Sequence, residues 1–458
     1  MNKAYSTVWS ASRGMWVVTS ELPHKGRLPR KIKQTSLAGL VAGLLLPSMP
    51  ALAKNYDNEM RGTDEKNSIM SLNAGDVATN TTINSGGSQN VYSGGSATST
   101  TIKSSGVQNV YSGGSATNTI MYWDGIQNVY SGGSATNTSI NMYGKQNVFS
   151  GGSATSTTIN TSGYQNVISG GSATSTTITS EGTQLIADGG SATNTTITSG
   201  WQDIYSGGSA TSTTINSDGQ QYIYSGGNAT NTIINSGGIQ HVSSNGSATS
   251  TTINSDGQQY IYSGGKATNI IINSGGIQDV SSDGSATNTT INSYGVQNVS
   301  SGGNATNTTI SDGGQYIYSG GNATNTTINS GWQDIYSGGS TTDTTINSGG
   351  RQYVSSGGNA TNTTINSAGV QHVSSGGSTT NTTISDGEQY IYSGGNATNT
   401  IINSGGIQYV SRNGSATSAT INYGGKQEIW GSASGITVNS GGYQLVVDDG
   451  HATNTIIT

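Results

Sequence analysis

A glutamine returns every 19 residues through most of this chain. It stands at Gln89, Gln108, Gln127, Gln146, Gln165 and Gln184, then at Gln202, Gln221, Gln240 and Gln259, and onward to Gln408, Gln427 and Gln444. The step shortens to 18 residues at a few places and to 17 once, at the end. The same phrase surrounds each glutamine, as in TTINSGGIQHVSS. A fixed period near twenty residues is the signature of a solenoid, in which each repeat is one coil stacked on the last. Such a chain presents a long repetitive surface and does not build a single pocket.

Glycine accounts for 70 of the 458 residues and charged residues for only 8%, a balance that on its own suits disorder. The apolar residues argue otherwise, because they stand in register. One column runs Ile83, Ile102, Met121, Ile140, Ile159, Ile178, and a second runs Val91, Val110, Val129, Val148, Val167, Ile186. Each coil reads as two strand-like pieces, A-T-N-T-T-I-N and Q-x-V/I-x-S. Ser-Gly-Gly and Asn-Ser-Gly-Gly separate them as turns. No 3.6-residue period appears, so the fold class is all-β, a parallel β-solenoid of about twenty 18–19-residue coils. The 18-residue coils (ITSGWQD, ISDGGQY, INSGWQD, ISDGEQY) each lose one residue in the turn before the glutamine. A loss there leaves the strands paired, whereas a loss within a strand would turn every later side chain to the opposite face.

Strand parity assigns the faces. Gln89 and Val91 point inward together, and Asn90 and Tyr92 point out. The outward tyrosines include the pairs Tyr222 and Tyr224, Tyr260 and Tyr262, Tyr316 and Tyr318, and Tyr390 and Tyr392. Aliphatic side chains are too few to offset the ordering of so long a chain. A ladder of buried amides through Gln89, Gln108, Gln127, Gln240, Gln259 and their counterparts is therefore expected to contribute, each amide donating to one neighbouring coil and accepting from the other.

The first residues read differently. Lys25, Arg27, Arg30, Lys31 and Lys33 precede the apolar run Leu37–Leu46, and Pro-Ser-Met-Pro-Ala-Leu-Ala ends at Ala53. This is the layout of a secretory signal with cleavage after Ala53, and the apolar run is too short to span a bilayer as a helix. The expected organisation is an extended signal over 1–53, a leader or cap over 54–73, and the repetitive solenoid over 74–458. Residues 1–53 hold seven of the 16 Lys/Arg and one of the 22 Asp/Glu, so the remainder carries 9 basic and 21 acidic residues, a net charge of −12. That balance does not suit a nucleic-acid partner. The absence of cysteine fits a chain that crosses a disulfide-forming compartment, and equally fits duplication of a cysteine-free ancestor.

No catalytic, metal or cofactor motif emerges. His241 and His372 fall in the outward column and have no partner at zinc-ligand spacing, and both are expected to be exposed. The SDG turns at Asp218, Asp256, Asp312 and Asp386 lack the nonapeptide period of calcium-binding β-rolls. Uniform coils offer no cleft for the paired carboxylates of a polysaccharide-degrading enzyme. A regular threonine column (Thr81, Thr100, Thr119) invites comparison with ice-binding arrays, although it shares parity with inward isoleucine. Two non-enzymatic features remain. Stacked outward tyrosines suit contact with carbohydrate or protein. The turn serines Ser93, Ser112, Ser131, Ser150, Ser169, Ser206 and Ser225 are placed where a modifying enzyme can reach them.

The segment MNKAYSTVWSASRGMWVVTSEL resembles the extended signal-peptide region of large bacterial autotransporters, through Asn2, Lys3, Tyr5, Trp9, Trp16, Val18, Ser20, Glu21 and Leu22. The coils resemble the passenger repeats of self-associating autotransporter adhesins of the AIDA and TibA type. That resemblance implies a right-handed parallel β-helix on the surface of a Gram-negative bacterium. It also implies adhesion to a host-cell receptor or glycan, aggregation between copies on different cells, biofilm formation, and heptose added to passenger serines by a dedicated heptosyltransferase. Such proteins end in a membrane β-barrel. Here the sequence stops at Ile457-Thr458 within a coil, which suggests a fragment, a truncated frame or one part of a longer gene.

Overall fold

The computed structural model describes the strand backbones of residues 5–10 and 15–20, and residues 52–63 and 68–458. It divides into two units, Met1–Leu52 and Ala53–Thr458. In the first, Tyr5–Ser10 and Met15–Ser20 form an antiparallel pair with Trp9 opposite Trp16. The basic run 25–33, the apolar run 37–46 and the segment that follows to residue 51 lie outside the described residues. Ala53 is described and exposed.

The second unit is a parallel β-solenoid in which 59 strands belong to one hydrogen-bonded system. A representative coil contains Ser96–Thr98, Thr101–Ile102 and Val107–Val110. Each strand pairs in parallel with its counterpart one coil away, residue for residue: Ala116 with Ala97, Ile102 with Ile83, Gln108 with Gln89. Counting Met70 and the twenty glutamines that share its column gives 21 coils. At about 4.8 Å per layer this solenoid is about 100 Å long.

The coil thus has three strands where the sequence suggested two. A-T-N-T-T-I-N is broken at its asparagine, or at the serine that replaces it: Asn80, Ser99 and Asn118 have φ of 56°, 57° and 57°. Asparagine visits this left-handed region more readily than most residues, and a single such residue turns the chain. The turn costs no ladder bond, because the Asn80 and Ser99 amides still donate to Thr98 and Thr117 of the following coil, at 3.0 and 2.9 Å. Both halves keep their inward residues, Ala78 on one side of the corner and Thr81 and Ile83 on the other, all fully buried.

Within residues 54–73, expected as a leader or cap outside the repeat, the described strands form one further coil layer. Asn55–Asp57, Met60–Arg61 and Ile69–Leu72 pair with Val77–Thr79, Thr82–Ile83 and Ser88–Val91. The repeat is disguised there because Met70 stands in the glutamine column and Arg61 in the isoleucine column. Asp76 holds this end together. Its carboxylate accepts from the Asn73 and Lys54 amides at 2.8 and 2.7 Å, and these bonds keep its pKa low.

Ser-Gly-Gly has two separate requirements. Gly94 has φ of 75° in a turn closed by the Gly95 amide donating to the Tyr92 carbonyl at 2.9 Å. Gly95 is instead pressed against the coil below, where a Cβ would lie 2.5 Å from the Leu72 carbonyl oxygen. The first glycine supplies a conformation and the second supplies clearance. The 18-residue coils take their loss at the other corner. There Thr196–Ile204 runs as one strand, the register shifts between Ile197 and Ser199, and Gln202 regains its place opposite Gln184.

The interior is built from stacked identical residues. Beside the aliphatic and alanine columns runs an unbroken amide ladder. Gln108 Nε2 donates to Gln89 Oε1 at 2.6 Å, Gln127 to Gln108 at 2.7 Å, and the series continues to Gln444 on Gln427 at 2.9 Å. Most of these oxygens accept a second bond from a threonine of the following coil, as Gln89 does from Thr100 at 3.2 Å. A neutral hydrogen bond contributes about 0.5–1.5 kcal/mol net, but a buried group left without its partner costs about 1–3 kcal/mol.

Gln259 tests this directly. It donates to Gln240 at 2.6 Å and accepts from Gln278 at 2.7 Å. Gln259→Leu strands the Gln278 amide, and is expected to destabilise the chain by about 1–3 kcal/mol despite its added apolar area. Chemical denaturation reads this as a lowered midpoint. An unchanged midpoint for several such variants would show that the ladder contributes nothing.

Candidate functional site

What the solenoid does inside it also does outside. Tyr92, Tyr111, Tyr130 and Phe149 stand one coil apart with ring centroids 5.0, 5.0 and 5.2 Å from one another and planes within 12°. The layer spacing sets that separation, so parallel stacking is imposed by the backbone. A neighbouring column holds Tyr222, His241 and Tyr260 at 4.5 and 5.3 Å, and Tyr353, His372, Tyr390 and Tyr409 at 4.8, 5.4 and 4.7 Å.

Of the expected contact residues, Tyr318 and Tyr392 are exposed, while Tyr222, Tyr224, Tyr260, Tyr262, Tyr316 and Tyr390 are half-buried. Three of the four expected pairs are ring-stacked, Tyr222 on Tyr224, Tyr316 on Tyr318 and Tyr390 on Tyr392, with centroids 5.9–6.3 Å apart. Tyr260 and Tyr262 instead share His241, which stacks on the first and meets the edge of the second. His241 and His372, expected to be exposed, are half-buried between tyrosines, and burial lowers both pKa values. Tyr224 and Tyr336 are pushed up to about 12 by burial and by Asp203 and Asp334 respectively, so their hydroxyls stay protonated.

Strand parity already puts Asp203 and Asp279 in this outward column, but Asp334 and the enclosure of all three went unread. Asp203, Asp279 and Asp334 sit among the aromatic rings, and burial raises the pKa of each, that of Asp203 to about 6. A signal was present, because WQDIYSGGS occurs twice, at 201–209 and 332–340. The column of Asp203 is elsewhere filled mostly by asparagine or tyrosine. The flanking asparagines also ladder, Asn109 donating to Asn90 at 2.8 Å and Asn128 to Asn109 at 3.0 Å.

The corner serines Ser93, Ser112, Ser131, Ser150, Ser169, Ser206 and Ser225 are all exposed, each beside a glycine at the rim of its layer. Together they form an edge with one hydroxyl per coil, except where Asp188 stands between Ser169 and Ser206. The threonine column that invited comparison with ice-binding arrays is buried: Thr81, Thr100 and Thr119 have no exposed surface. Their hydroxyls face the amide ladder because they share the parity of the core isoleucines.

The chain is thus a polar-cored parallel β-solenoid with an aromatic face and a serine edge. The match to known proteins places it further. Residues 204–257 and 252–314 match the family described as "Adhesin of bacterial autotransporter system, probable stalk". Residues 1–51 match the "Extended Signal Peptide of Type V secretion system". The chain is 68% identical over 92 residues to the autotransporter CRAC of Citrobacter rodentium, and 65% identical over 92 residues to the autotransporter adhesin/invasin TibA of Escherichia coli. Those stretches cover 20% of this chain and only 6% and 9% of the two relatives. A crystal structure of a TibC-catalysed, hyper-glycosylated TibA fragment is 52% identical, with a TM-score of 0.55 over 60% of this chain and 97% of the fragment. The chain belongs to the AIDA- and TibA-type family of autotransporter adhesin passengers.

The half-buried carboxylates make stability depend on pH. A carboxyl whose pKa is raised in the folded state contributes stability below its unfolded pKa, and that contribution is lost as pH rises through the folded value. For Asp203 the window is from about 4 to about 6. Asp203→Asn should therefore raise the unfolding midpoint at pH 7.5 and leave it nearly unchanged at pH 4. Thermal melts of both proteins at the two pH values check this, and an equal effect at both would remove titration of Asp203 as the cause.

Proposed function

We propose that this chain is the secreted, surface-displayed passenger of a bacterial adhesin, acting by repeated contact and not by catalysis. In this reading residues 1–53 direct export and are removed after Ala53, and 54–458 form the displayed solenoid, held at the outer membrane where it is joined to a translocator barrel. Its partners are a receptor or glycan on the host cell, further copies of itself on neighbouring cells, and a heptosyltransferase. Adhesion between bacteria would support biofilm formation.

The observation that carries the proposal is the uniformity of the outer surface. One exposed corner serine and one rung of the outward columns recur at each layer through much of the solenoid. A weak contact made once per coil becomes strong when many coils engage together. Few charges lie on these columns, although the net charge of −12 opposes approach at low salt. The hyper-glycosylated relative supports glycosylation of this chain, and the exposed corner serines are where a sugar would project from the rim without disturbing the ladder.

Two measurements test this. Passenger isolated with an active heptosyltransferase should show mass increments in multiples of one heptose, mapping to serines such as Ser93 and Ser112. Alanine at the seven corner serines should reduce that increment, and an unmodified passenger would overturn the assignment. Cells displaying passengers with fewer coils should settle more slowly, and moderate salt should speed settling of the full-length form. Settling independent of coil number would exclude distributed contact.

A further inference from the structure

The outward aromatic column is interrupted several times, and one of these interruptions borders an open cavity. It runs through Tyr318 and Tyr336, stacked at 5.2 Å, and then through Ser355 and Ser374 before resuming at Tyr392. Two successive layers therefore lack a ring here, as they also do at Ser281 and Ser300. The same stretch follows two consecutive 18-residue coils, at Gln315 and Gln333, each of which has lost a residue from the adjacent corner. Where the missing rings and the shortened corners coincide lies a cavity of about 680 Å³, within the range of about 300–1,000 Å³ usual for small-ligand sites.

The lining is chemically mixed. Trp332 forms one wall and is fixed there: a Cβ on Gly314 would lie 2.7 Å from its indole, and Tyr316 meets it edge-on at 6.4 Å. Tyr336 and Tyr353 supply further ring surface. Asp334 offers a carboxylate of which one oxygen accepts from the Tyr336 hydroxyl at 3.3 Å while the other has no donor. Arg351, exposed and one layer on from Trp332, supplies guanidinium donors. Aromatic rings beside a paired donor and acceptor match a pyranose, whose C–H face lies on a ring and whose hydroxyls need both kinds of partner. Asp312 and Asp334 outnumber Arg351 around the cavity, which disfavours sugars bearing a carboxylate. The second copy of the motif, Trp201-Gln202-Asp203, is followed by Tyr224 where the first has Ser355, so the position is filled there.

We propose that the cavity bounded by Trp332, Asp334, Arg351 and Ser355 binds one neutral pyranose residue of a glycan, giving the solenoid a discrete sugar site in addition to its distributed surface. The proposal deepens the adhesin reading and rests on it for the biological source of the sugar. A neutral pyranose reaches this surface either from a host glycan or from a sugar carried by another copy of the passenger.

The test uses the purified chain made without a glycosyltransferase, titrated by calorimetry with methyl glycosides of glucose, galactose and mannose, and with glucuronic and sialic acid glycosides. At least one neutral glycoside should bind saturably, with the acidic ones at least tenfold weaker. Ser355→Tyr restores the missing ring and should abolish binding without lowering the unfolding midpoint. Trp332→Phe and Arg351→Gln should each weaken binding about tenfold. Saturable binding of glycosylated passenger that Ser355→Tyr removes would assign the sugar to a second copy, and loss of host-cell binding alone would assign it to the host. No saturable binding of any neutral glycoside, a preference for acidic ones, or binding untouched by Ser355→Tyr would overturn the proposal. Displayed passenger that still adheres to host cells in that event leaves the adhesin reading standing. Sugar binding by the purified chain, on cells that neither adhere nor settle, would instead keep the sugar site and overturn the adhesin reading.

Discussion

Register between successive coils is the constraint on which the rest of this structure depends. Each strand pairs in parallel with its own counterpart, so every residue meets the same residue type one layer away, as Gln108 meets Gln89 and Ile102 meets Ile83. A polar side chain can be buried on those terms only if it both donates and accepts along the axis. Glutamine meets that condition, and the threonine hydroxyls alongside supply second donors to its oxygen. The interior consequently tolerates a chain poor in large apolar residues. It also stays specific, because a coil out of register by one residue would turn its amide outward and its asparagine inward.

The outer surface inherits the same rule without selection for burial. Tyrosines stack because the layer spacing is close to the preferred distance between offset rings. Where an aspartate stands in such a column it is enclosed by its neighbours, as Asp203 is between Leu185 and Tyr222. Its raised pKa follows from that enclosure. Functional variety therefore enters this fold through substitutions in outward columns, which leave the ladder intact. The cavity beside Trp332 is of this kind: two serines in place of two rings, next to a corner shortened by one residue. Nothing in the core changes, and Gln333 still donates to Gln315 at 2.6 Å.

The corners set the limits of variation. The second glycine of Ser-Gly-Gly lies against a carbonyl of the preceding coil, so that corner is fixed in shape along most of the solenoid. Its one clear shortening, at Trp430-Gly431, coincides with the single 17-residue step. The corner before the glutamine is the more permissive one. It absorbs single deletions either by running two strands together through a bulge, as between Ile197 and Ser199, or in a shorter turn, as between Ile384 and Glu388.

The repeat made the solenoid, its inward glutamine and valine columns, and its turn serines legible in the sequence, because a period of 19 places equivalent residues at equivalent positions whatever the detailed path. The path itself was less legible. Asn80 and its counterparts divide one apparent strand into two through a left-handed backbone conformation, a choice that depends on closure of the coil and not on local propensity. The first coil was hidden because Met70 and Arg61 do not carry the repeat's identities, although the ladder still accepts them. The sequence by itself determined the stacking, since one-dimensional periodicity becomes axial register whenever the strands are parallel. Only the tertiary structure decided which outward residues are enclosed, as Asp334 is, and where omitted rings become a cavity. Those outcomes depend on side chains from three or four coils meeting on one face, distances that no single repeat encodes.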